Sequence, residues 1–118
     1  MRLTKMHYTD LALALYTSVL DCDWVRFLDR VTINSLQHSP EMILEFVPFR
    51  NEDELIIFAN EYLPHAEKVS RSNFSTFSMT RYTASLPSVV GTIKVVLSCP
   101  GNDTETLAKF PSFSALRR

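Results

Sequence analysis

Few residues of this chain combine a reactive group with a context that could use it. Histidine ordinarily exchanges protons near neutral pH, and the chain has three, His7, His38 and His65. His38 stands in Leu36-Gln37-His38-Ser39-Pro40, where Ser-Pro forces a turn. A histidine there is ordinarily a loop residue, and acts as an acid or base only if a pocket holds it. His65 follows Pro64 at a helix end, where a cation suits the helix dipole. Tyr16 is a phenol in an apolar run. A buried phenol can stabilise a developing oxyanion, though more often it is a core aromatic with its hydroxyl satisfied. Glu45 could serve as an acid or base if its strand face lined a pocket; a solvent-facing position is the stronger expectation.

Other chemistry is set aside by spacing. The histidines show no i, i+4 or His-x-His pattern, and Cys22 and Cys99 lie far apart, so no metal site is expected. The chain has two glycines and no Gly-x-Ser-x-Gly motif, which removes Gly-rich phosphate loops and nucleophile elbows. No cofactor is expected. Arg71, Arg81 and Lys94 interleave with Phe74, Phe77 and Tyr82. Such a surface could stack single-stranded bases, but the simpler expectation has the aromatics facing the core and the cations facing water.

The 118 residues carry a net charge of -1, with pI near 6.3. That balance gives no electrostatic footprint for nucleic acid. Hydrophobic residues make up 46%, enough for one globular core. The apolar run Leu11 to Leu20 reads as a buried helix rather than a signal peptide, because Asp10 interrupts its approach and Thr17 and Ser18 lie within it. No segment is long enough to span a bilayer. Two thiols without a disulfide framework point to a cytoplasmic protein.

Positioning elements follow from the pattern. Thr9 or Asp10 can cap a first helix, apolar over an arc wide enough to be covered on more than one side. Asp23 can cap a second short helix, from Trp24 to about Arg30. Residues 31–37 could continue it or form a strand, since Val31, Thr32 and Ile33 are β-branched. Met42 to Phe49 reads as a strand. Asn51, followed by Glu52, Asp53 and Glu54, caps a third helix that ends at Pro64. From residue 66 the period changes to that of strands, with a turn at 85–88 and a half-buried strand over 89–99. The tail is either frayed or a last edge strand. No repeat or linker interrupts the chain, so residues 1–118 form one domain, with 1–7 and 104–118 mobile or peripheral.

The stretch Leu15-Tyr16-Thr17-Ser18-Val19-Leu20-Asp21-Cys22-Asp23-Trp24 resembles a feature of the nuclear-transport-factor-two-like superfamily, which includes SnoaL-like polyketide cyclases, ketosteroid isomerases and scytalone dehydratases. Members often carry an aromatic residue in the first helix, then a small-Asp-Trp-like turn opening the second. Pro48-Phe49-Arg50-Asn51-Glu52-Asp53-Glu54 is similar to the turn entering their third helix, with Asn51 where many have Gly. The resemblance spans about residues 8 to 98. It implies an α+β fold: N-terminal helices packed on a curved, mainly antiparallel sheet, a cystatin-like cone. Such folds end with further long strands beyond the position of Cys99. Here a short tail remains, so the sheet is either curtailed or completed by a partner subunit, and an uncovered edge favours a homodimer.

In that family a pocket opens between the helices and the concave sheet, with an acid or base just after the first strand and a tyrosine donor from the first helix. His38 and Tyr16 resemble these two positions. The resemblance thus implies a small cofactor-independent isomerase, cyclase or dehydratase. His38 would act as acid/base and Tyr16 as hydrogen-bond donor, on a hydrophobic carbonyl-bearing small molecule bound by Phe27, Phe46, Phe58 and Tyr62. The alternative is a non-catalytic dimeric binding module that captures a protein or small ligand through its sheet or pocket. No nucleic-acid or membrane partner is expected under either.

Overall fold

Asn51 opens the helix whose origin is clearest. Its side-chain oxygen accepts the Glu54 N–H at 2.9 Å, filling one of the free donors of the first turn. Three acidic residues follow, on the end of the helix where the dipole favours them. The Glu54 carboxylate is met by Arg50, four residues back, rather than closing a capping box. The computed structural model describes residues 8–34, 40–74, 78–89, 91–101 and 108–113. In chain order its elements are α1 (Tyr8–Leu20), a 3-10 turn (Asp23–Phe27), β1 (Leu28–Asn34), β2 (Glu41–Phe46), α2 (Glu52–Tyr62), β3 (Glu67–Phe74), β4 (Met79–Leu86), β5 (Thr92–Pro100) and β6 (Ala108–Ser112).

The chain is α+β. One six-stranded sheet has the order β1-β2-β5-β4-β3-β6. All its pairings are antiparallel except β2 with β5, which run parallel. That exception makes the sheet mixed: α2 carries the chain across, and the β3–β4–β5 meander brings β5 back alongside β2.

Alternation decides which face is covered. Met42, Leu44 and Phe46 of β2 and Ile93, Val95, Leu97 and Cys99 of β5 are buried. So are Tyr82 and Ala84 of β4 and Val69 of β3. Leu15 and Val19 of α1 and Leu55, Phe58 and Ala59 of α2 complete this core. Each Val, Leu, Ile, Phe or Met among these contributes about 1.5–3 kcal/mol by leaving water.

Several expectations need correction. The second helix is a single 3-10 turn, and the β-branched run after it joins β1, pairing Val31 with Leu44 and Ile33 with Met42. Propensity and a waiting partner edge outweigh helix continuation there. Helix α1 contains both Thr9 and Asp10, so neither is its cap. It is covered on one side among the described residues: Leu13, Tyr16 and Leu20 are exposed. The tail supplies a sixth strand beside β3, and Phe113 just beyond it is buried with its ring 6.0 Å from Tyr82. Gly91 answers a close approach, since a Cβ there would lie 2.4 Å from the Pro40 carbonyl oxygen. That carbonyl accepts the Thr92 N–H at 3.1 Å, fastening the start of β2 to the start of β5.

Candidate functional site

The four aromatic residues expected to line a pocket are brought together, packed ring on ring. Phe58 of α2 lies 5.2 Å from Phe27, 5.4 Å from Phe46 and 4.9 Å from Tyr62, centroid to centroid. Phe49 and Trp24 extend the group, at 5.0 Å from Phe58 and 5.7 Å from Phe46. Tilted and edge-on contacts at these distances are the stable geometry for aromatic pairs. Arg26 covers the outer side of Phe27, its guanidinium carbon 4.8 Å from the ring centre.

Tyr16 is 37% exposed, on the flank of α1 beside the buried Leu15 and Val19. His38 lies outside the described residues, so its relation to Tyr16 is not part of this geometry. Glu45 is half-buried on the sheet face opposite the helices, paired in register with Arg30.

Open space lies next to the aromatic cluster. A cleft of about 380 Å³ runs between the last turns of α1 and the connection from β4 to β5. One wall is Ser18 and Val19 of α1 with Cys22 and Trp24 of the following turn. The other is Leu86, Pro87, Ser88 and Val89, and Ile93 forms its floor from the sheet. The break at 21–23 creates the first wall by ending α1 and swinging Trp24 back under it; Pro87 creates the second by ending β4.

The two hydroxyls that line this cleft are bonded to nearby backbone. The Ser18 hydroxyl donates to the Leu15 carbonyl at 2.6 Å, and the Ser88 hydroxyl accepts the Gly91 N–H at 3.4 Å. The Cys22 thiol points toward the Ser18 carbonyl at 4.0 Å. Burial, then the charges of Asp21 and Asp23, push that thiol up from its ordinary value, so it is protonated at neutral pH. None of the lining residues therefore carries charge at neutral pH. Such walls recognise shape and apolar surface, with little means to move a proton.

A second polar cluster sits at the other end of the sheet. Glu52, first residue of α2, accepts Arg71 Nε from β3 at 2.8 Å and the Tyr82 hydroxyl from β4 through the same carboxylate oxygen. Arg71 is 8% exposed and Tyr82 is buried. Burial, then the bond to Glu52, raises the Tyr82 hydroxyl pKa strongly. Burial also pushes the neighbouring Cys99 thiol up to about 11. The cluster holds its protons firmly and ties the start of α2 to the sheet. It corrects the simpler expectation for the cations: Lys94 and Arg81 are exposed, while Arg71 faces the core. Arg71 has the same strand parity as Val69, a signal in the sequence. Its counter-charge lies nineteen residues away in the chain, which local reading does not connect.

Among the described residues no group of histidine, cysteine and acidic side chains is placed to hold a metal ion, and no helix is long and apolar enough to cross a membrane. Comparison with protein-family models, characterised proteins and solved structures finds no match to this chain.

Proposed function

We propose that this chain is a binding module for a small apolar molecule, built on a nuclear-transport-factor-two-like frame and taking its ligand in the cleft between α1 and the β4–β5 connection. The single observation that carries this is the pairing of a cleft of about 380 Å³ with walls that hold no charge at neutral pH. Sites of this size with mostly apolar walls suit drug-sized ligands. The family part of the reading is supported by the two sequence motifs alone.

The test uses Trp24, the one tryptophan, which lines the cleft. Titration with 1-adamantanol is expected to change its emission saturably. Ser18→Phe, at an exposed lining position, fills the cleft and is expected to weaken binding at least about tenfold with the thermal midpoint unchanged. Equal binding by S18F and the parent would remove the cleft as the site.

Catalysis by His38 and Tyr16 on a carbonyl substrate is a separate proposal supported by the resemblance alone. A homodimer is a further proposal that rests on the uncovered strand edge expected from the sequence; the mass in solution tests it.

A further inference from the structure

The charges around the cleft give its ligand a sign. Cys22 stands in the wall between Asp21 and Asp23 in the chain, and both aspartates are exposed. Neither lines the cleft, but both flank a residue of its wall, close enough for their charge to raise the Cys22 thiol. Neither is held in an ion pair among the described residues. Arg26, the cation of the same turn, lies over the Phe27 ring. Two exposed carboxylates thus stand beside an uncharged wall.

We propose that the cleft takes a cationic amphiphile, an apolar body bearing a protonated amine, with the amine held at the rim by Asp21 and Asp23. This rests on the cleft being the binding site. The walls remove the apolar body from water, which supplies the affinity. The aspartates supply the sign, because an ammonium group at the mouth keeps part of its hydration and faces two carboxylates. A carboxylate-bearing ligand of the same shape meets repulsion instead. An inorganic cation would gain nothing from Val19, Trp24 and Ile93.

Three probes with one apolar body separate these contributions: 1-adamantylamine, 1-adamantanol and adamantane-1-carboxylate, titrated at pH 7 and low salt with Trp24 emission as readout and calorimetry as a check. The amine is expected to bind about three- to tenfold more tightly than the alcohol, the scale of two solvent-exposed carboxylates. The carboxylate is expected to bind more weakly than the alcohol. Asp21→Asn with Asp23→Asn should bring the amine down to the level of the alcohol and leave alcohol binding unchanged. High salt should do the same to the parent. An amine that binds no better than the alcohol, or a preference that survives D21N/D23N, overturns the charge assignment and leaves the cleft reading standing. Failure of all three probes to bind overturns both.

Discussion

Replacing Glu52 tests whether one carboxylate fastens α2 to the sheet. The carboxylate accepts Arg71 Nε at 2.8 Å as well as the Tyr82 hydroxyl. Arg71 is only 8% exposed, so its charge has limited access to water. Breaking a fully buried pair by deleting one partner costs about 3–5 kcal/mol. The Glu52 side chain is 26% exposed, and that solvent access brings the expectation down to about 2–3 kcal/mol for Glu52→Gln. Glu52→Ala adds the lost hydrogen bond from Tyr82, about 1 kcal/mol. Replacing both partners with apolar groups, Glu52→Leu with Arg71→Met, should cost less than E52Q alone, because no buried charge is left behind. Urea unfolding at pH 7, analysed as a double-mutant cycle, measures these differences. Loss of less than about 0.5 kcal/mol in E52Q, or strict additivity of E52L and R71M, would refute the claim that the pair holds the helix.

Two further predictions concern stability. The Cys99 thiol, pushed to about 11 in the fold by burial, resists an ionisation that the unfolded chain undergoes at the ordinary value. Its contribution is complete below about pH 8.5 and declines as pH rises toward 11, by about 2–3 kcal/mol in all. Tyr82, shifted in the same direction, extends the loss to higher pH. Cys99→Ala should flatten the part between pH 8.5 and 11, read from urea midpoints across that range. A C99A profile as steep as the parent's would assign the alkaline loss elsewhere. Gly91→Ala sets a Cβ against the Pro40 carbonyl oxygen, with 2.4 Å between them; the clash is with backbone and should lower stability by about 1–3 kcal/mol. A thermal melt of G91A matching the parent would contradict that approach.

The sequence alone determined the elements whose causes lie within a few residues. Asn51 and the three acids after it set the start of α2, and Pro64 set its end, because caps and dipoles act over one turn. The alternation of Met42, Leu44 and Phe46, and of Ile93, Val95 and Leu97, marked β2 and β5 and the faces they bury. It determined the α+β class as well. The tertiary structure decided whatever depends on residues distant in the chain. Val31 to Ile33 became strand because the β2 edge was there to pair with them. The tail became β6 because β3 had a free edge. Arg71 turned inward because Glu52 arrived from another element to meet it. Phe27, Phe46, Phe58 and Tyr62 packed against one another, and a cleft lies beside them between the end of α1 and the β4–β5 connection. Hydrophobicity tells a side chain to leave water; whether it then meets another ring or borders a cleft is set by close packing in three dimensions.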